Sequence, residues 1–283
     1  MINIKFNKNI NGFQNELEIC NGLNNKYVYE LNPMYRSFIE DLFNNINDYD
    51  LIKCVIDDSN KKHDIIISIE NEKRYVSIKK GIKNSIHVEG ISSFIHFLIQ
   101  NHVKRNVVIE YLKYHYADGS TNGTGINRSS AEEYKKNNQE KIDMINLEIN
   151  NEYLLMKVIE RFVLKGNISD KTIDAILFGV NDDFIWIKKE DIIKVILSKK
   201  DVYSSAVHFG PLTIQPLDRC LNRNPKYEKR RFCIQVKWYN LADDIIENMN
   251  ERYMTQSLYK NEPNHIIPKL YTGVTSIKKQ TNN

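Results

Sequence analysis

Residues 64–89 read DIIISIENEKRYVSIKKGIKNSIHVE, and the architecture of the chain follows from this stretch. Its first seven residues are rich in β-branched Ile, Asn71-Glu72 forms a polar turn, and RYVSIK returns as a second strand. Because side chains alternate across a strand, Ser77 and Lys79 share one face, and in a hairpin Asp64 can lie on that face too. The stretch therefore predicts an acid, a hydroxyl and a lysine at one end of a small sheet.

The composition is that of a globular protein, and it restricts the class of function only weakly. The 283 residues carry 40 Lys and Arg against 36 Asp and Glu, so the net charge of +4 does not establish a nucleic-acid partner. The N-terminus does not resemble a signal peptide, and no apolar run is long enough to cross a membrane. The four cysteines form no CxxC pair. We expect a cytoplasmic protein with no membrane partner and no zinc site.

Hydrophobic periodicity predicts the order helix, strand, strand, strand, helix up to Gln100. The helices cover residues 13–20 and 33–46, the first strand covers residues 51–56, and the hairpin supplies the next two strands. The segment KNSIHVEG, at residues 83–90, is predicted to be a loop that precedes a helix carrying Phe94 and Leu98. A single helix is predicted over residues 131–149, and a second hairpin is predicted over residues 173–189.

This order resembles the PD-(D/E)XK nuclease superfamily, which includes many type II restriction endonucleases. The resemblance covers residues 10–102. The sequence departs from the usual pattern in two places, because Ser77 stands where the acid of Asp/Glu-x-Lys is expected and His63 replaces the proline before Asp64. Some restriction enzymes of this superfamily have Ser-x-Lys and take the missing acid from the following helix. Glu89 is the matching candidate here.

The resemblance implies an α/β fold: a restriction-endonuclease-like core, with a mixed β-sheet flanked by helices, and a helical and mixed α/β extension. It also implies that Asp64, Glu89 and the Ile78 carbonyl hold Mg²⁺ and that Lys79 orients the attacking water, with Ser77 and His87 in support. Carboxylates with Mg²⁺ are suited to phosphodiester hydrolysis. A plainer interpretation stays open, in which Asp64 caps a turn and Lys79 ends a solvated strand.

Candidate DNA contacts lie beside this site and in two later segments. One segment is the Gly-rich loop 118–130, for which a plain connector is the favoured interpretation. It has no Walker motif and so predicts no nucleotide cofactor. The other is the basic segment 219–231, where Arg and Asn suit the edges of G and A, although a solvated loop is the alternative. The candidates are Lys80, Lys83, Asn84, Arg128, Arg219, Asn222, Arg223, Lys226, Lys229, Arg230 and Arg231.

Two further strand ends resemble the hairpin in composition. Asp174 precedes Trp186-Ile187-Lys188 with a Trp at the acid position, and Gln235-Val236-Lys237 has no paired aspartate. Both are interpreted as core strands. The predicted organisation is a nuclease core at 1–128, a recognition and dimerisation region at 129–260 that is continuous with the core, and a C-terminal tail at 261–283.

The hypothesis from sequence is a Mg²⁺-dependent, sequence-specific endonuclease that cuts double-stranded DNA as a homodimer. This is the activity of a type II restriction enzyme in a restriction-modification system. Two alternatives stay open at this point. One is a defence or toxin nuclease that acts on RNA or structured DNA, and the other is a non-catalytic nucleic-acid-binding protein.

Overall fold

The structure is a computed structural model that describes residues 11–59, 61–81, 84–166, 170–181, 183–221 and 225–259. The predicted tail at 261–283 lies outside these residues. The helices are α1 (Gly12–Leu23), α2 (Pro33–Leu42), α3 (Ile91–Gln100), α4 (Arg105–Tyr116), α5 (Ala131–Asn137), α6 (Gln139–Ile149), α7 (Glu152–Val158), α8 (Lys189–Ser198) and α9 (Leu241–Tyr259). The strands are β1 (Lys26–Tyr27), β2 (Leu51–Ile56), β3 (Ile65–Ile69), β4 (Glu72–Lys79), β5 (Asn84–Gly90), β6 (Ala175–Val180), β7 (Asp183–Lys188), β8 (His208–Phe209), β9 (Leu212–Pro216) and β10 (Cys233–Trp238).

The first sheet has the order β1-β2-β3-β4-β6-β7 and is mixed. Its only parallel pair among the described strands is β4 with β6, where Val76 lies opposite Ala175 and Lys79 lies opposite Phe178. Every residue of β6 is buried, whereas β2 alternates between buried and exposed positions. The sheet is therefore covered on both faces at β6 and on one face at β2, where α1 packs.

The second sheet has the order β5-β10-β9-β8 and is antiparallel throughout. Its first strand was not expected, and the prediction of a loop at residues 83–90 is wrong. Ser85 and Val88 lie exposed on one face of β5, and the buried residues on the other face include Ile86. Its pairing with β10, far along the chain, makes it a strand.

The helical predictions hold in outline and differ in detail. The helix predicted over residues 131–149 is two helices, α5 and α6, which meet at Asn138. Helix α7 continues as a π-helical segment at Ile159–Lys165, and the basic segment folds into two short 3₁₀ helices at Leu217–Leu221 and Pro225–Phe232. No described helix is both long enough and apolar enough to cross a bilayer.

A buried hydrogen bond fixes α1 against the middle of the first sheet. The side chain of Asn11 caps the helix by accepting from the Gln14 amide. Asn15 is fully buried, and its Nδ2 donates to the carbonyl of Gly179 at 3.0 Å. Gly179 directly follows Phe178, the partner of Lys79, so the first turns of α1 lie near the end of β4.

Gly179 is required here for two reasons. Its φ is +138°, which L side chains rarely adopt, and a Cβ at this position would lie 2.3 Å from the Asp183 carbonyl oxygen. Gly119 also has a positive φ, +81°, but a Cβ there would meet nothing within 4 Å.

We expect Gly179→Ala to lower the free energy of unfolding by about 1 to 3 kcal/mol more than Gly119→Ala, because only the first adds a clash to the backbone strain. Urea denaturation of both variants measures the difference. Equal losses would show that the hairpin end relaxes around the added methyl group.

Candidate active site and nucleic-acid interface

The predicted hairpin is confirmed as β3 and β4. Ile65 lies opposite Val76, and a turn at Glu70-Asn71 joins the strands, with Glu70 at φ +51°. This turn is one residue earlier than the sequence predicted. Asp64 immediately precedes β3, and its amide donates to the carbonyl of Val76 at 2.9 Å. The backbone therefore places the Asp64 side chain beside the end of β4.

One oxygen of the Asp64 carboxylate is held by three donors from β4. Asp64 Oδ2 accepts from the Ser77 hydroxyl at 3.0 Å, from the Ile78 amide, and from Lys79 Nζ at 3.4 Å. Lys79 Nζ also donates to the Ile78 carbonyl at 2.9 Å. Within the described part of the chain, Asp64 Oδ1 accepts no hydrogen bond, so one carboxylate oxygen is fixed and the other is available to a ligand.

His63 holds the segment that leads into this site. Its side chain is almost fully buried, with Nε2 2.6 Å from Asp57 Oδ2 and the ring edge-on to Tyr75 at 4.7 Å between centroids. The Asp57 amide donates to the Asp64 carbonyl at 3.0 Å. A buried ring with an acidic partner thus occupies the position where the PD-(D/E)XK pattern has a proline.

Glu16 of α1 is a site residue that the sequence did not reveal. Burial raises the pKa of the Glu16 carboxyl, the Asp64 carboxylate raises it further, and the Lys79 ammonium opposes both. Its neighbour Asn15 bonds to Gly179, which follows the partner of Lys79 in β6. Glu16 is therefore a second carboxylate in the electrostatic field of Asp64 and Lys79. Its signal was weak, because one Glu on a polar stretch of helix is common.

Glu89 lies in a different setting from the predicted one. The expectation that it belongs to the following helix is wrong, because it is the penultimate residue of β5, opposite Ile234 of β10. Its side chain is 2% exposed, and Oε2 accepts from Arg161 Nη2 at 2.8 Å and from the Ser93 hydroxyl at 3.1 Å. The predicted helper His87 lies beside it, with Nε2 3.5 Å from Glu89 Oε2. Burial is the main cause that lowers the pKa of His87.

Lys62 connects the Asp64 segment to the second sheet. Its Nζ donates to the carbonyl of Ile86 in β5 and to the carbonyl of Phe162 in the π-helical segment, the latter at 2.7 Å. Burial lowers the pKa of Lys62 to about 7, and Lys79 lowers it further while Asp64 raises it. The environment of Asp64 and Lys79 thus extends to the backbone of β5.

The oxygen atoms at this site fit a Mg²⁺ ion. Within the described residues, no three His, Cys, Asp or Glu side chains form a metal-binding group. Mg²⁺ does not need such a cage, because it usually keeps several waters and takes one or two carboxylates. Asp64 Oδ1, the Ile78 carbonyl and the Glu16 carboxylate supply hard oxygen donors of that kind.

Asp174 and Lys188 of the second hairpin do not form a site like that of Asp64 and Lys79. Asp174 Oδ2 accepts from the Tyr75 amide at 2.7 Å, and Lys188 Nζ lies 2.9 Å from Asp41 Oδ1. Asp41 also accepts from the indole of Trp186 and pairs with Arg252. Asp174 and Lys188 therefore serve separate structural contacts, as expected for core strands.

Ion pairs connect the basic segment to the Gly-rich loop. Asp118 has a fully buried side chain that accepts from Arg231 Nη2 at 3.0 Å and from the amides of Ser120 and Gly125. Arg128 pairs with Asp218 and donates to the carbonyl of Tyr116. The Gly-rich loop is therefore an ordered support, and the guanidinium groups of Arg128 and Arg231 are used within the protein.

The remaining candidate DNA contacts differ in exposure. Lys226, Lys229 and Arg230 are exposed on the second 3₁₀ helix, whereas Asn84 is 6% exposed and lies opposite Trp238. Half-buried positions are occupied by Lys80 and by Arg219, whose Nη2 donates to the Ser129 carbonyl. Lys83, Asn222 and Arg223 lie outside the described residues. The exposed cations thus cluster just before β10.

The chain is similar in fold to a solved protein structure. The mixed sheet, the helices that flank it and the Asp-Lys hairpin define a restriction-endonuclease-like α/β fold, as predicted. Among solved structures, the restriction endonuclease MspI in complex with its cognate DNA is similar, with a TM-score of 0.52 and 13% identity over 80% of this chain and 91% of that chain. At this identity the likeness establishes the fold. No protein-family model and no curated protein matches the sequence.

The support under the basic segment contains a histidine that is sensitive to pH. His115 is fully buried, and its Nε2 lies 2.7 Å from the Arg231 carbonyl, to which it donates. Burial lowers the pKa of His115 to about 4, with further effects from Arg128, Asp218 and Arg219. The unfolded chain therefore binds this proton more readily, and the stability contributed by neutral His115 is lost as pH falls from about 6.5 to about 4.

We expect His115→Gln, which keeps a donor for the Arg231 carbonyl, to lose less stability than the wild type over that range. The difference should be on the order of 1 to 3 kcal/mol. Urea denaturation at pH 7, 5.5 and 4 measures it, with His96→Gln on the exposed side of α3 as the matched control. Parallel losses in wild type and His115→Gln would contradict the assignment.

Proposed function

We propose that this protein is a Mg²⁺-dependent endonuclease that hydrolyses double-stranded DNA. The observation that carries the proposal is the convergence of Asp64, Ser77 and Lys79 at the end of β3 and β4, with Lys79 Nζ 3.4 Å from Asp64 Oδ2. Support comes from the fold, which it shares with a DNA-bound restriction endonuclease. Sequence specificity and a homodimer with one site for each strand belong to the same proposal.

The proposed division of labour follows from the contacts. Asp64, Glu16 and the Ile78 carbonyl would hold the ion, which would neutralise charge on the phosphate and make water a better nucleophile. Lys79, kept in place by Asp64 and the Ile78 carbonyl, donates to the attacking water and aims its lone pair at phosphorus. The oxygen of the attacking water bonds to phosphorus as the P–O3′ bond breaks. This water releases a proton to bulk solvent, and O3′ takes up a proton from bulk solvent and becomes a hydroxyl. A 5′-phosphate results.

Three features of the structure support this scheme physically. The Ile78 amide and the Ser77 hydroxyl fix the rotamer of Asp64 before any ligand arrives, which lowers the entropic cost of binding. The side chains of Asp64 and Lys79 are 23% and 19% exposed, so a phosphate can reach them. Burial, and after it the neighbouring Asp64 charge, raise the pKa of the Glu16 carboxyl, and a bound cation would relieve the repulsion between the two carboxylates.

Asp64→Asn and Lys79→Ala should each reduce the cleavage rate of plasmid DNA in Mg²⁺ by about 10²- to 10⁴-fold. Binding of duplex DNA should change little, because both residues act on the reacting phosphate. Lys53→Ala, at an exposed position of β2, is the matched control. Full cleavage by both site variants would refute the site, and a wild type that binds DNA without cutting it would favour the non-catalytic alternative.

The second carboxylate is decided by comparing two substitutions. Glu16→Gln should lower cleavage and raise the Mg²⁺ concentration needed for half-maximal rate by about tenfold or more, because a metal ligand is lost. Glu89→Gln should mainly destabilise the protein, since it leaves the partly buried Arg161 without its anionic partner. The readouts are Mg²⁺ titration of cleavage and thermal unfolding. The opposite pattern would restore Glu89 as the metal-binding acid.

A further inference from the structure

The two faces of β9 and β10 in the second sheet differ in polarity. Ile214, Ile234, Val236 and Trp238 are fully buried on the inner side of β9 and β10. The residues between them point the other way, and directly opposed residues share a side. The register thus places two rows on what we call the outer face, which consists of Val88, Gln235 and Gln215 in one row and Ser85, Lys237 and Thr213 in the next. All of these except Val88 are polar.

The middle residues of these rows, Gln235 and Lys237, are largely buried polar side chains. Gln235 is 9% exposed and Lys237 is 8% exposed. Among the described residues, Gln235 Oε1 accepts no hydrogen bond, and the contact of Lys237 Nζ is with the ring of Tyr239, 5.7 Å from its centroid. A buried amide oxygen is rarely left without a hydrogen-bond partner, because its desolvation is costly. Such a pair is suited to an external ligand with donors and acceptors.

The spacing of the pair matches the edges of stacked base pairs. Residues two apart on an antiparallel strand are separated by about 6.8 Å, which is about two steps of 3.4 Å along one DNA strand. Some proteins read base edges in the major groove with the strands of a sheet, and β10 lies between β5 and β9 in this one. There a Gln amide can both donate to and accept from adenine, and a Lys ammonium can donate to the acceptors O6 and N7 of guanine.

Charge near the strand favours DNA over a neutral ligand. Lys226, Lys229 and Arg230 are exposed on the 3₁₀ helix at Pro225–Phe232, which leads directly into β10. Cations at such a position contact phosphates and fix the register, whereas base-edge contacts determine sequence. The link through Lys62, from the Asp64 segment to Ile86 of β5, holds this sheet beside the proposed active site.

We propose that Gln235 and Lys237 on the outer face of β10 read base edges in the major groove, Gln235 an adenine and Lys237 a guanine about two base-pair steps away. This inference rests on the proposed function, since it requires a duplex DNA substrate. It assigns specificity to the strand, while the basic segment before it provides affinity.

The test starts with full-length wild type. Its digest of a phage genome in Mg²⁺ is sequenced at the ends to obtain the cleavage site, and duplexes with each base pair of that site replaced are then cut by wild type, Gln235→Ala and Lys237→Ala. Each variant should lose discrimination at one position, by about 5- to 150-fold, with the two positions about two steps apart. Lys53→Ala should keep every preference, and Lys229→Ala should weaken binding equally for all sequences.

A conservative variant distinguishes a change in base recognition from misfolding. Gln235→Glu keeps the size of the side chain but only accepts, so its preference should shift from adenine towards cytosine, whose N4 donates. Discrete cleavage with unchanged preferences in all three β10 variants would overturn the inference and leave the proposed function standing. A uniform loss of affinity would do the same, because it would mark a phosphate contact. A wild type that neither cuts nor binds duplex DNA would refute both.

Discussion

The parallel pairing of β4 with β6 is the constraint on which the rest of the structure depends. It buries β4 between two neighbours, and the Tyr75 amide starts the ladder by donating to Asp174, 99 residues further on. A parallel pair requires a long crossover, and this one contains β5 and the helices α3 to α7. The same pairing fixes the end of β4, so that Lys79 stands beside Phe178 and Gly179 anchors α1. The candidate active site is assembled at the point where these elements meet.

The sequence predicted the fold wherever a segment's own pattern specifies its structure. Alternating Ile residues defined β3, and the periodicity of Phe94 and Leu98 defined α3. The sequence pattern does not predict the structure of a segment that depends on pairing with residues far along the chain. Strand β5 reads as a polar loop because one of its faces is exposed, and only pairing with β10 makes it a strand. The sequence predicts one helix where the structure has α5 and α6, because the apolar spacing continues across Asn138 and does not show the break.

For the candidate site, the local part was predictable and the tertiary part was not. Asp64, Ser77 and Lys79 were expected to converge because strand alternation determines their face, and they do converge. Glu16 belongs to a helix that begins before the hairpin, and no spacing rule relates the two. Its electrostatic link to Asp64 and Lys79 depends on the packing of α1, in which Asn15 donates to the carbonyl of Gly179 in β6. Glu89 is predicted from its distance along the chain after Lys79. That distance does not indicate the sheet to which the residue belongs.

The long interval between β4 and β6 also affects how the chain must fold. The hairpin of β3 and β4 closes through a two-residue turn and can form as soon as it is synthesised. The free edge of β4 then has no strand to pair with until β6 is synthesised, because Asp174 lies 99 residues after Tyr75. During that time Val76 and Ile78 lie on an unpaired strand edge, which is a template for pairing with other chains. Slow folding and a need for protection during synthesis follow from the same topology that builds the site.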